Sequence, residues 1–452
     1  MKLQFLGATE TVTGSKYLIS HNQHKILIDC GLYQGVKNLR LRNWAQLPVN
    51  PRLIDAVVLT HAHIDHSGYL PALVKQGFKG RVYCSPATNA LCRVLLPDAG
   101  YLQEEDARYA NRRKFSKHHP AQPLYTEEDA IASLGQFHPV ACGHPVKITP
   151  ELTIEFSPVG HILGACAVKV NDGKKSVLFS GDVGRPNDPI MYPPNPIKAA
   201  DYVVVESTYG DRRHQKVDSE KKLGDIINKT IKRGGVILMP AFAVGRAQTM
   251  LYLLLQLKKK EIIPNIPVYL NSPMAISATE IFCDYHGEHK IDAQTCAMID
   301  NSTTYVRTAK ESIALNNKIS PSVIISASGM ASGGRVLHHL KMLAPDHRNS
   351  IVFLGFQAPG TRGESIVNGA TEIKIHGAYH QVRAEVHSLD SFSAHGDYQE
   401  IIDWLAHIKI PPKKTFVTHG ERSASDAMRR HIKEQLGWEA CVPEYLYETE
   451  LN

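Results

Sequence analysis

The chain has 452 residues, 43% of them hydrophobic and 21% charged, with a formal net charge of +7. That length suits two or three domains, each able to bury a core without staples, and the mild positive charge permits a polyanionic partner without showing one. The first twenty residues carry no apolar signal-peptide core, and no run of about 18 apolar residues occurs (residues 250–257 are interrupted by Gln256), so neither a secretory leader nor a membrane span is expected. The eight cysteines, Cys30, Cys84, Cys92, Cys142, Cys166, Cys283, Cys296 and Cys441, never form C-x-x-C, which excludes a zinc ribbon or thioredoxin-like motif and suits a reducing, cytoplasmic setting.

The first 208 residues read as strand-rich. Short apolar runs at 3–6, 25–29, 55–60, 152–156, 176–179 and 202–205 are bounded by Gly, Pro, Asn or Asp. One longer segment, 95–117, is charged and helix-compatible and contains the trio Arg112-Arg113-Lys114, which reads as a solvated helix face or a nucleic-acid contact. From about residue 209 apolar runs alternate with helical patterns: 235–239 then 244–257, 267–270 then 275–282, 323–326 then 333–343, and finally 350–356. Repeated strand-then-helix units predict a parallel sheet. Near residue 372 the strand-rich texture returns at 372–376 and 415–418, with a helix over 398–408. The simplest account is an α/β domain spanning 209–374, inserted into a parent domain made of 1–208 and 375–452.

The 23 histidines outnumber the 18 tyrosines and the 12 phenylalanines, and a hydrophobic core has no use for so many imidazoles. Histidine is the commonest metal ligand. Four potential ligands crowd into His61-Ala62-His63-Ile64-Asp65-His66, directly after an apolar strand, where open sheets place their sites. Packing does not need three His and one Asp at this spacing, and mixed imidazole and carboxylate donors suit zinc, with room for two ions. His161, Asp182 and His419 each follow a predicted strand. Singly they read as ordinary turn residues; with the cluster they complete a two-metal ligand set.

These residues resemble the metallo-β-lactamase superfamily, whose metal motif is H-x-H-x-D-H followed by a later His, an Asp and another His. The resemblance implies an αββα sandwich and two Zn²⁺ ions. His61, His63 and His161 would hold one ion, Asp65, His66 and His419 the other, and Asp182 would bridge them. Asp29, closing Ile26-Leu27-Ile28-Asp29, matches the family's first-motif Asp, which orients the ligand loop. A zinc pair can deprotonate a shared water and clamp both attacking and leaving oxygens, so the implied chemistry is hydrolysis.

Further segments resemble the β-CASP nucleases within that superfamily, which carry an α/β parallel-sheet domain at the position of the insert. Val205-Glu206-Ser207-Thr208 matches their acidic motif A, Ser391-Phe392-Ser393-Ala394-His395-Gly396-Asp397 their motif B, and Thr418-His419-Gly420 their motif C. The stretches Pro240-Ala241-Phe242-Ala243-Val244-Gly245-Arg246, Ser328-Gly329-Met330-Ala331-Ser332-Gly333-Gly334-Arg335 and Gln357-Ala358-Pro359-Gly360-Thr361 also match, so the resemblance spans essentially the whole chain. A phosphodiester needs its leaving 3′-oxygen protonated or metal-bound, and a His–carboxylate pair does the former; His395 would give the proton, held in its tautomer by Glu206. Asp65 and Asp182 join this pair in the catalytic set. The Gly- and Ser-rich run, through Ser328, Gly329, Met330, Gly333 and Gly334, brings backbone amides near phosphate oxygens, and Arg246 and Arg335 could pair with them.

The His at motif C resembles the RNA-processing branch, so the expected substrate is single-stranded RNA and the expected activity a zinc-dependent ribonuclease, endonuclease preferred. A 5′-exoribonuclease, a non-catalytic RNA-binding scaffold and a lactam or thioester hydrolase are the alternatives; homo-oligomerisation stays open. Nothing like the KH region of archaeal members precedes Met1, and no ribonuclease J-type C-terminal domain follows His419, so accessory RNA-binding surfaces are expected to be absent.

Overall fold

The computed structural model describes residues 1–114, 118–214, 218–316, 320–355, 357–389 and 392–452. The end of the expected 95–117 helix, Phe356 of the expected 350–356 strand and Ser391 of the motif B segment lie outside the described residues. Two units are present, one of Met1–Arg213 with His395–Asn452 and one of His214–Ala394.

The first unit is built on two seven-stranded sheets. One runs Glu448–Glu450, Lys2–Phe5, Tyr17–His21, His24–Ile28, Ala56–Val58, Arg81–Cys84, Phe137–Pro139; the other runs Ala440–Cys441, Lys414–Val417, Tyr202–Val205, Ser176–Phe179, Cys166–Asn171, Thr153–Pro158, Val146–Lys147. In each sheet a hairpin-connected antiparallel half joins a parallel half. The strands alternate in which face they bury. Leu3, Phe5, Ile26, Ile28 and Val58 of the first sheet meet Phe156, Val168, Phe179, Val204 and Phe416 of the second in one shared core. The intervening Leu27, Val57, Val82, Leu178, Val203 and Val417 are just as buried. Both outer faces are therefore covered, as the strands' near-continuous apolar runs require, giving the four-layer αββα sandwich. Strand Glu448–Glu450, which pairs with Lys2–Gln4, was not expected: its alternating Glu-Thr-Glu lacks an apolar face.

The long helix of this unit is Pro86–Arg113, beginning well before the expected residue 95. Ser85 caps it by accepting from Thr88 N, and Pro86 supplies the first helical residue.

The second unit carries a six-stranded, all-parallel sheet in the order Thr304–Tyr305, Val268–Leu270, Val323–Ser326, Ile237–Pro240, Ser350–Phe353, Glu385–Ser388. Alternate residues feed two cores on opposite faces. Ile237, Met239, Val323, Ile325 and Val352 join helices Ser219–Lys232, Arg246–Lys259 and Pro273–Asp284. Leu238, Ile324, Ile351 and Phe353 join helices Val336–Leu343 and Arg362–Val367. This is the parallel α/β insert expected from the alternating texture.

Its far boundary differs from the sequence reading. The strand-like 372–376 segment does not rejoin the sandwich but forms a hairpin, Glu372–Ile375 with Ala378–Gln381, whose Ile373 and Ile375 pack into the insert's second core. Strand Glu385–Ser388 then pairs with Ser350–Phe353. The chain returns to the first unit at His395 rather than at 375. Strand texture alone cannot say which sheet a strand joins. Among the described residues no helix is long and apolar enough to cross a membrane.

Candidate metal centre

The site lies entirely on the first unit, on loops at the ends of its strands. The backbone of strand Ala56–Val58 continues through Thr60 into His61 and a short helix, Ile64–Ser67. Gly31 makes this loop possible: a Cβ there would lie 1.6 Å from the Asp65 carbonyl oxygen, so only glycine lets the two loops touch. The loop contact is locked by hydrogen bonds from Cys30 N to His66 O, Leu32 N to Ile64 O and Ser15 N to Asp65 O.

Asp29 organises the ligands from behind. Its Oδ1 accepts from Thr60 N at 2.7 Å and its Oδ2 from Thr60 Oγ1 at 2.9 Å, while His66 Nδ1 lies 2.7 Å from Oδ2. Thr60 Oγ1 in turn lies 3.1 Å from His61 Nδ1. With the Nδ1 hydrogens directed to these oxygens, the Nε2 lone pairs of His61 and His66 face the site. Thr208 does the same for His419, with Oγ1 3.2 Å from Nδ1.

Two clusters of donors result. His61 Nε2 and His161 Nε2 each approach His63 Nδ1, at 3.1 and 3.2 Å. His66 Nε2 lies 3.1 Å from His419 Nε2, which is 3.4 Å from Asp65 Oδ2. Asp182 stands between them: Oδ2 is 3.5 Å from His61 Nε2 and 3.6 Å from His161 Nε2, and Oδ1 is 3.2 Å from His66 Nε2. All seven candidate ligands named from the sequence are thus brought together.

The donor set fits zinc on spacing, and on charge state with one exception. Burial lowers the pKa of His66, but Asp182, Asp29 and Asp65 outweigh it and hold the imidazole well above the ordinary histidine range, so His66 gives up a proton on binding a metal. Two ligand atoms about 2.0–2.1 Å from a tetrahedral ion stand about 3.3 Å apart, close to the separations within each cluster. Burial holds His61 well below the ordinary histidine pKa and brings His63 down to about 4, so both imidazoles are neutral donors near neutral pH. For Asp182 burial opposes ionisation, but His419, His66 and His61 outweigh it and hold the carboxyl well below the usual range.

Glu206 could be grouped with Asp182 and His419 as a third set of donors, but its oxygens are already engaged. Oε1 accepts from Val183 N at 2.6 Å, and His395 Nδ1 lies 3.2 Å from Oε1 and 3.1 Å from Oε2. Glu206 is buried, whereas the His395 side chain keeps 19% exposure. The ring of His395 lies 4.5 Å from that of His161, centroid to centroid. A partly exposed imidazole backed by a buried carboxylate is thereby set beside the donor clusters.

The remaining sequence-derived candidates lie on the second unit. The turn between strand Val323–Ser326 and helix Val336–Leu343 holds Ser328, Gly329, Met330, Gly333 and Gly334. Ser328 Oγ accepts from Ser332 N and Gly333 N, and Met330 O accepts from Gly363 N. Arg335 spends three donors on the protein, Nη1 on Asn271 Oδ1 and Val306 O and Nη2 on Arg307 O. Arg246 is buried at the start of its helix.

Sequence reasoning missed Thr60, Thr208 and Lys16. Lys16 is buried and donates from Nζ to Gly31 O, under the Asp29 loop, with its ammonium 4.7 Å from the Tyr69 ring centroid. Burial pushes its pKa down to about 8. The flanking Ser15-Lys16-Tyr17 carries no motif, so nothing in the sequence distinguishes it from a surface lysine.

Comparison with known proteins finds matches along most of the chain. The metallo-beta-lactamase superfamily matches residues 11–223, the Beta-Casp domain 247–366 and the Zn-dependent metallo-hydrolase RNA specificity domain 379–443. Ribonuclease TTHA0252 of Thermus thermophilus is 34% identical, over 93% of each chain. Transcription termination factor FttA of Methanosarcina mazei is 31% identical over 94% of this chain and 67% of its own. A crystal structure of an Enterococcus faecalis protein of unknown function shares the fold along the full chain, with a TM-score of 0.55 at 14% identity.

Proposed function

Given that the chain belongs to the β-CASP group of the metallo-β-lactamase superfamily of metal-dependent hydrolases, we propose that it is a zinc-dependent ribonuclease that hydrolyses phosphodiester bonds of single-stranded RNA as an endonuclease. The observation that carries this reading is Asp182, whose two oxygens face two different histidine clusters beside the His395–Glu206 pair. Two zinc ions would be held here, one by His61, His63 and His161, the other by Asp65, His66 and His419, with Asp182 placed to serve both. When bound, such a pair supplies Lewis acidity at the phosphoryl oxygens and lowers the pKa of the attacking water.

The chain's own residues do the rest. Asp29, Thr60 and Thr208 fix the tautomers and directions of the ligand imidazoles. Glu206 accepts from His395 Nδ1–H and leaves Nε2 to carry the transferable proton. His395 hands that proton to the leaving 3′-oxygen, which gives 5′-phosphate and 3′-hydroxyl ends. On the second unit, phosphate recognition falls to the 328–334 turn and to the Nε–H and second Nη2 hydrogen of Arg335, which no hydrogen bond among the described residues engages. Arg246, being buried, takes no part in this assignment.

The test is cleavage of one RNA labelled at its 5′ end and again at an internal position, with zinc and with a chelator. Internal fragments that disappear with the chelator are expected. Release of mononucleotides from the 5′ end alone would replace the endonuclease with a 5′-exonuclease. Intact RNA in every lane, with zinc bound, would remove the ribonuclease reading.

A further inference from the structure

A second feature of the insert is a cluster of basic side chains around one exposed tyrosine. Helix Val336–Leu343 carries His338 and Lys341 three residues apart, hence on one face. The neighbouring hairpin buries Ile373 and Ile375 and so turns Lys374 and His376 outward. The His338 and His376 rings stand 5.3 Å apart. Arg362 ties the group to the 328–334 turn, donating from Nε to Lys374 O at 2.8 Å and from Nη1 to Ala331 O and Ser332 O. Lys374 pairs across the hairpin with Tyr379, its ammonium 5.5 Å from the ring centroid. Tyr379 is 64% exposed.

Among the described residues none of Lys341, Arg362 and Lys374 is ion-paired with a carboxylate. The hairpin's one acidic residue, Glu372, stands at its open end opposite Gln381. The field is felt within the cluster. Burial lowers the pKa of His338, and Lys341 and Arg335 lower it further; for His376 burial is joined by Lys341, His338, Arg362 and His380. Unneutralised like charges held together destabilise the fold unless a polyanion meets them.

We propose that the face bearing His338, Lys341, Arg362, Lys374, His376 and Tyr379 is a second RNA-binding surface, which takes single-stranded RNA through its phosphates and stacks a base on Tyr379. This rests on the ribonuclease reading for its ligand. The chemistry favours RNA over an acidic protein. A protein interface needs an apolar centre, whereas the large apolar side chains exposed here are Tyr379 and Met342. Spaced cations around one exposed aromatic ring suit a strand of phosphates and bases. Continuity with the 328–334 turn through Arg362 places this surface on the path already assigned to phosphate.

The test reads binding, not turnover, in the zinc-loaded full chain carrying His395→Ala. Anisotropy of a fluorescent RNA of about 20 nucleotides is compared between that chain and one adding Lys341→Ser, Lys374→Ser and Tyr379→Ser. The added changes should weaken binding at least about tenfold and make the salt slope shallower by about 1.4, two phosphate contacts at about 0.7 each. Lys341→Arg with Lys374→Arg should restore it, which separates charge from folding; equal thermal melts check the latter. RNA binding within about twofold of the parent, or no rescue by arginine at equal melts, would overturn the proposal. So would patch-dependent binding of poly-glutamate tighter than of RNA, which would mark an acidic-protein surface. Cleavage of an RNA of about 6 nucleotides by the chain with His395 intact tests the ribonuclease reading separately.

Discussion

Asp29 Oδ2 lies 2.7 Å from His66 Nδ1, and the same carboxylate takes both the amide and the hydroxyl hydrogen of Thr60. One buried side chain outside the ligand set thereby orients two ligands, His66 directly and His61 through Thr60. Asp29 sits at φ +56°, a backbone region that Asn tolerates as well as Asp. Asp29→Asn therefore removes the charge without straining the loop. Zinc affinity should fall about 10- to 100-fold, read by competition with a chromophoric chelator. An affinity equal to that of the parent would show that Asp29 acts on the loop's fold alone.

His395 and Glu206 are separable from metal binding, because the Glu206 oxygens are taken by Val183 N and His395 Nδ1. His395→Ala should lower the cleavage rate about 10²- to 10⁴-fold with the zinc content of the parent. Glu206→Gln should lower the rate less, since an amide oxygen still accepts from Nδ1. Loss of zinc in either variant would count against the division of roles.

Lys16 makes stability depend on pH in a direction unusual for a lysine. Its folded pKa is about 8, below the unfolded value near 10.4, so between those values the unfolded chain binds more protons and stability rises with pH. The rise should total about 3 kcal/mol for this group. Comparison with Lys16→Met cancels the other groups that titrate in the same window. Urea melts at about pH 7.5 and pH 10 should show the parent gaining on the variant; parallel curves would mean that Lys16 stays charged when folded.

Arg335 pins the turn that follows strand Val323–Ser326, through Asn271 Oδ1, Val306 O and Arg307 O. Arg335→Ala should cost about 1.5–3 kcal/mol, the range for hydrogen bonds to a charged group. An unchanged denaturation midpoint would place Arg335 on the surface in solution, with its donors free for RNA.

The seven candidate ligands were legible because they follow apolar strands, and strands deliver their following residues to a common edge; His395 was found only through its resemblance to motif B. The two-layer core was implied by the resemblance and not by alternation, since Ile26, Leu27 and Ile28 are apolar and buried without a break. Residues that act through another residue were not legible. Thr60, Thr208 and Lys16 gain meaning only from what they touch, and the partners of Thr208 and Lys16 lie 211 and 15 positions away.

The candidate ligands thus follow from motif spacing and from the family resemblance, and the order of strands and helices from periodicity, all of which the chain carries locally. The end of the insert at 394, the hairpin at 372–381 and the division of Asp182 between two clusters were decided by tertiary packing. A strand's residues say that it will pair, but which edge it joins depends on which partner is open when the sheets assemble. A carboxylate's two oxygens are chemically equivalent until a fold sets different neighbours on either side.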